Sequence, residues 1–472
     1  MIKSNNLALN ADLEHASHRS PKNPISSLYS IWFTVLLTAT VFTLWFFNLG
    51  VYGLCAFGIL LGLLLALVPD VSCAVPIIFL IPQIMRTNTV NEQDSVYLII
   101  AVSALGLGFI VRFFRFRPKL KDCADGYIIS LAFCGIAVCL GGITLSAHRQ
   151  PLPATLIALY GLTTPLIGVT FYHSLGKTER AKNVLFYAVF SSAVLACFQL
   201  LTLILLSPDP IKAVSSKYAL DPGYANVNYV ANIISRAIPL CLYLASKEQK
   251  GSKFWFLVAY IFGFCILLTS SRNSLLVGGV VAVIAVVYFA FKTKDKVSYL
   301  CVTAIFLGIT LILAAIMKSK FSQYFGTLTK MKFDSNGRFD LWKTGIERFK
   351  SHPIFGVGFD YDLGGRIEYP GTQKFTPYWY HNTVVQILAC TGIFGLLCYA
   401  AYFFQTYKTL FKVNSGALKA VGFIILTIHL SSMLDVFFFT PQEYIELMIM
   451  TIICKKLGSE RGRGIDDAFI SE

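Results

Sequence analysis

The chain has 472 residues, of which 56% are hydrophobic and only 14% charged, against roughly 25% charged in soluble domains. That balance excludes an ordinary soluble enzyme. The formal charge of +15 is read as basic residues at membrane borders rather than as a nucleic-acid surface. The apolar residues form blocks long enough to cross roughly 30 Å of hydrocarbon and are apolar all round rather than striped. The expected fold class is therefore an all-α polytopic membrane protein with about 12–14 transmembrane helices. Of the 12 cysteines, most lie inside the apolar blocks, where cysteine behaves as a small hydrophobe. Residues 318–380 contain none, so no disulfide framework or cysteine metal site is read.

Residues 1–27 form a polar tail, expected to be disordered and without a signal-peptide cleavage site. Candidate spans follow at 28–47, 50–68, 71–85, 95–114, 126–145, 152–173, 183–206, 229–246, 254–271, 272–291, 297–317, 381–407, 417–439 and 441–457. The segment 71–85 is short and contains Pro76 and Pro82. The run 254–291 is too long for one span, and the chain is expected to turn at Thr269-Ser270-Ser271-Arg272-Asn273-Ser274.

Lysine and arginine set the orientation. With a cytoplasmic N-terminus, 24 of the 40 basic residues fall in segments on the cytoplasmic side. The opposite short connections hold only Arg86, Arg149, Lys212 and Lys217. Both termini are thus expected to be cytoplasmic, with one long loop, 318–380, on the other side. The expected organisation is a tail (1–27), an N-terminal bundle (28–217), a region carrying the chemistry (218–407), a C-terminal hairpin (408–457) and a second tail (458–472). No internal repeat is visible.

The long loop runs from Phe333-Asp334-Ser335-Asn336-Gly337-Arg338-Phe339-Asp340-Leu341-Trp342 through Pro353-Ile354-Phe355-Gly356-Val357-Gly358 to Tyr378-Trp379-Tyr380-His381-Asn382. At this length a folded helical element is expected within it. The glycine run lacks the lysine of a phosphate-binding loop and is read as a turn. Asp360-Tyr361-Asp362 has the elements of a divalent-ion site, a weak signal taken alone. His381 is either an incidental member of an aromatic membrane belt or a general base, since imidazole titrates near neutral pH. Arg236 either snorkels to the interface or lines a polar site within the bilayer. Together with Arg272 it offers the forked, permanent charge that suits phosphate oxygens. Asp435, Glu443 and Glu446 gather near another outer border. Thr440-Pro441-Gln442-Glu443 fits a helix capping box, and His429 reads as a core residue.

The series Ser271-Arg272-Asn273-Ser274, Arg338 with Trp342, Pro353 to Gly358, His381-Asn382 and Gly392-Ile393-Phe394-Gly395 resembles the O-antigen ligase and polysaccharide polymerase superfamily over about 220–400. The resemblance implies a multi-span, lipid-dependent glycosyltransferase (GT-C-like) fold in the bacterial cytoplasmic (inner) membrane. It implies an undecaprenyl diphosphate-linked glycan as donor, an acceptor glycan or glycolipid, the lipid bilayer as environment, and no nucleic acid. It also implies that Arg272 contacts the diphosphate and that His381 is essential. Tyr224-Ala225-Asn226-Val227-Asn228 matches the start of a family span, but the basic residue ahead of it is Lys217, so Lys217 and Arg236 both stand as candidates for a second diphosphate contact. Arg338, Trp342, Gly356, Gly358, Asn382 and Asn228 are the supporting motif residues. The chemistry expected is inverting transfer without metal or cofactor. The alternative is a transporter or flippase for a lipid-linked glycan, which should show inverted repeats and broken helices near the midplane.

The orientation has a direct test. In a cysteine-free background, a membrane-impermeant thiol reagent applied to intact cells should label a cysteine placed at Ser335 and not one at Thr293. The reverse pattern would invert the topology.

Overall fold

A computed structural model of the chain describes residues 24–86, 95–117, 124–143, 161, 164–176, 178–210, 213, 220–224, 226–247, 252–269, 271–293, 296–316, 338–359, 379–435 and 437–460. Their regular structure is entirely helical. It comprises α1 Ile31–Phe46, α2 Gly50–Leu67, α3 Val75–Leu80, α4 Ser95–Phe116, α5 Gly126–Leu140, α6 Thr164–Ser174, α7 Thr178–Leu206 and α8 Val227–Lys247. The chain continues through α9 Ser252–Thr269, α10 Arg272–Lys292, α11 Lys296–Ile316, α12 Arg338–Ser351, α13 Thr383–Lys412, α14 Gly416–Ser431 and α15 Pro441–Glu460. Seven of these helices (α2, α4, α7, α8, α9, α10 and α13) are long and apolar enough to cross a membrane. The segments α1, 71–84, α5, α11 and α14 are shorter and apolar.

The weak span at 71–85 is broken. Pro76 and Pro82 occupy the first turns of α3 and of the 3-10 turn Ile81–Ile84, where a missing N–H does no harm, and the result is a six-residue helix between two tight turns. The long run divides as expected: α9 ends at Thr269, and Ser271 caps α10 by accepting from the Ser274 N–H. Of the expected span 152–173, only the stretch from Thr164 lies in a described helix.

The most and least buried of the membrane-length helices differ in polarity. Helix α8 carries Asn228, Asn232, Ser235 and Arg236, and 89% of its membrane-length window is buried, against 11% for the almost wholly apolar α4. Where the surrounding solvent is lipid, apolar helices lose nothing at the periphery and polar ones are drawn inward.

Helix α13 is interrupted at Gly392, which has φ +64° and ψ −160°. Such a break frees the carbonyls of Ala389 and Cys390 and the N–H groups of Ile393 and Phe394, which cannot be left unpaired away from water. Residues 353–358 take up all four. Val357 and Gly358 donate to Ala389 and Cys390 at 2.8 and 2.9 Å, and Ile393 and Phe394 donate to Pro353 and Ile354 at 2.8 and 3.2 Å. The Pro353–Gly358 run is thus a backbone wedge that repairs the break, and Gly142 ties to it through the Phe355 carbonyl at 3.3 Å. At Gly356, φ is +64° and a β-carbon would stand 2.5 Å from the Cys390 carbonyl carbon.

Gly356→Ala should therefore combine a left-handed backbone, costing about 1–3 kcal/mol, with a collision, and should lower the thermal unfolding midpoint in detergent. Gly279→Ala in α10, where a β-carbon meets nothing within 4 Å, should not lower it. Equal midpoints for the two variants would remove the wedge from the list of structural constraints.

Candidate functional site

Asp435 follows α14, in the segment that leads to α15, and is 2% exposed. A buried carboxylate needs donors, and they come from distant parts of the chain. His381 Nδ1 lies 2.9 Å from Oδ1, while Asn228 Nδ2 and Arg338 Nη2 approach Oδ2 at 3.4 and 3.6 Å. Asn228 is in the first turn of α8, Arg338 opens α12, and His381 stands two residues before α13. His381 has a φ of +50°, uncommon for a residue with a β-carbon. With Nδ1 held by Asp435 and the side chain 34% exposed, Nε2 is the ring nitrogen left to meet a ligand.

The segment before Asp435 is itself pinned. Asn382 caps α13 by accepting from the Val384 and Val385 N–H groups, and its Nδ2 donates to the Met433 carbonyl at 3.0 Å. Thr383 donates to the Ser432 carbonyl through its N–H and its hydroxyl, at 3.1 and 2.9 Å. From α10, Asn273 donates to the Ser431 carbonyl at 2.9 Å, and the Ser274 hydroxyl reaches the Asn228 carbonyl at 3.4 Å. Arg272, the first residue of α10, is exposed beside these contacts.

The N-terminal ends of α8, α10, α12, α13 and α15 therefore gather around residues 431–441. Each helix start carries roughly +0.5 of an elementary charge. The positive potential of the gathered helix starts favours an anionic ligand here.

The structure thus brings His381, Asn382, Arg338, Asn228 and Arg272 to one end of the bundle. Trp342 sits one turn along α12, half-buried and edge-on to Phe339 at 5.3 Å. Gly356 and Gly358, grouped with the site in the sequence, serve the α13 wedge instead. Arg236 does not snorkel to an interface: it is 3% exposed and bonded to Glu443 and Glu446 of α15. The capping-box assignment of Glu443 is likewise corrected, because its Oε1 accepts from Arg236 and the Thr440 N–H bonds to the Phe437 carbonyl. His429 is a buried residue, facing the Tyr407 hydroxyl at 3.0 Å. Lys217, Asp360 and Asp362 lie outside the described residues. The carboxylate partner of His381 went unassigned in the sequence. Its only signal was that Asp435, like His381, falls at an outer end of a span.

A comparison with curated proteins finds no match. The family described as O-Antigen ligase matches residues 256–400, from α9 to the middle of α13. That segment includes Arg272, Arg338, Trp342, Gly356, Gly358, His381 and Asn382, and leaves Asn228, Arg236 and Asp435 outside. Over residues 256–400, less than half of its length, the chain is similar to the O-antigen ligase family.

Proposed function

We propose that this end of the bundle moves a glycan from a polyprenyl diphosphate carrier, of the undecaprenyl type, to an acceptor sugar hydroxyl outside the bacterial cytoplasmic membrane. The family supports a glycan-transferring enzyme of ligase or polymerase type. The observation that carries the finer reading is the His381–Asp435 pair, 2.9 Å apart, set among five helix starts beside Arg272.

In this reaction the anomeric carbon–oxygen bond to the diphosphate breaks, and a bond from the acceptor oxygen to the same carbon forms. The hydroxyl proton passes to His381 Nε2. Asp435, bonded at Nδ1, holds the ring in the tautomer that leaves Nε2 free to accept and stabilises the imidazolium that results. Charge develops on the diphosphate as the bond breaks, and Arg272 with the helix ends stabilises it there. Permanent cations and dipoles do this without a metal ion. Attack from the face opposite the leaving group inverts the anomeric centre. Arg338 and Asn228 hold the second oxygen of Asp435, and Arg236 is assigned to α15 rather than to the donor. A second phosphate contact from Lys217 is part of the proposal. The lysine and arginine distribution supports the placement of this end away from the cytoplasm, with both termini cytoplasmic.

A reconstituted assay with lipid-linked donor separates transfer from translocation, because in detergent only transfer can be scored. His381→Ala should lose about 10²–10⁴-fold in turnover while donor binding is largely kept, and His352→Ala should retain most activity. Near-parental transfer by His381→Ala at matched protein level would refute the base assignment. Asp435→Asn should keep the geometry but lose the charge that steadies the imidazolium, lowering turnover about 10- to 100-fold. Arg272→Lys keeps the charge and loses the fork, so a loss of about 10- to 100-fold is expected. Full activity of the lysine variant would reduce Arg272 to a packing role.

A further inference from the structure

About two turns below Asn228, one cation and two carboxyl groups are closed off together. Arg236, Glu443 and Glu446 are 3%, 0% and 1% exposed. Arg236 Nη1 donates to Glu446 Oε2 at 2.5 Å, and Nη2 donates to Glu443 Oε1. Gln442 Nε2 donates to Glu446 Oε1 at 2.6 Å, and Gln442 Oε1 accepts from the Tyr229 hydroxyl. The two carboxyl groups are therefore unequal. Both oxygens of Glu446 meet donors, whereas Glu443 Oε2 is buried without a partner.

With both carboxyl groups ionised, the unit would carry a net negative charge in a buried place, partly on an oxygen with no donor among the described residues. A proton on that oxygen removes the excess charge. The hydroxyl it creates lacks an acceptor, but an unpaired hydroxyl costs a fraction of what an unsolvated charge costs.

We infer that Glu443 is held as the neutral acid with its proton on Oε2, and that Arg236 and ionised Glu446 form an electroneutral clamp that positions Asp435 against His381. The clamp and the Tyr229–Gln442 bond fasten the first three turns of α8 to the start of α15. The same seam carries Asn228 at its end, 3.4 Å from Asp435, and α15 begins six residues after Asp435. A slip of α15 along α8 therefore moves the carboxylate relative to the imidazole. Arg236 and Glu446 are positioning residues. Their effect on turnover rests on the transferase reading, whereas the charge assignment does not.

The full chain in detergent tests both parts. Infrared spectra at pH 7 should show the carbonyl band of a protonated carboxylic acid in the parent, absent from Glu443→Gln and still present in a variant of the exposed Glu347. Glu443→Gln, a neutral isostere that still accepts from Arg236, should keep the thermal midpoint. Glu446→Gln strands the guanidinium and should lower it. No band lost in Glu443→Gln, or equal damage from the two glutamine variants, would overturn the charge assignment. In the transfer assay, Glu446→Gln should reduce kcat about tenfold or more at little change in donor KM, and in an Asp435→Asn background it should cost almost nothing further. Full additivity of the two losses would overturn the positioning role. If the parent itself transfers no glycan, the functional reading fails while the infrared and midpoint results still decide the clamp.

Discussion

Asp435 is a carboxyl group removed almost wholly from solvent, and the ends of distant helices converge on it with donors. Its partners are separated from it by 54 residues at His381 and by 207 at Asn228. A buried carboxylate without these donors would be too costly to keep. The need to surround it therefore specifies how the starts of α8, α12 and α13 meet. The imidazole shares that constraint: once Nδ1 is committed, the ring has one free nitrogen and one orientation.

The same scarcity of water accounts for two features that look unrelated in the sequence. At Gly392 the break in α13 exposes four backbone groups, and the Pro353–Gly358 run supplies a partner to each. At Arg236 a guanidinium deep in the bundle is matched by the carboxyl groups of α15. In a soluble protein either need could be met by solvent. In a lipid environment each becomes a long-range contact, and each joins a segment near His381 to another element.

The gathered helix starts place positive potential where an anionic substrate would bind, with Arg272 at the exposed edge of it and Asp435 beneath. The buried carboxyl group of Asp435 holds the imidazole in place, and Arg272 lies at the exposed edge. That separation suits a reaction in which a proton leaves one partner while negative charge grows on the other.

Much of this was legible in the sequence. Apolar blocks of membrane length located the helices, because a helix must bring its own hydrogen bonds into lipid and so declares itself by length and composition. The polar cluster at Thr269–Ser274 marked the turn before α10, since a serine cap is a local property of the chain. The order of Arg272, Arg338, Trp342, His381 and Asn382 pointed to one region. Three things were decided only by tertiary structure: that Asp435 is the partner of His381, that Arg236 faces Glu443 and Glu446, and that two glycine-rich runs repair one another's backbone. Each is a pairing between groups far apart in sequence, and in each the side chain or backbone group would look self-sufficient if read locally. Glu443 fitted a cap, Arg236 fitted an interface and Gly356 fitted a turn. The energy that overrides those local solutions is the cost of leaving charge or an amide group unpaired away from water, and that cost appears only once the helices are packed.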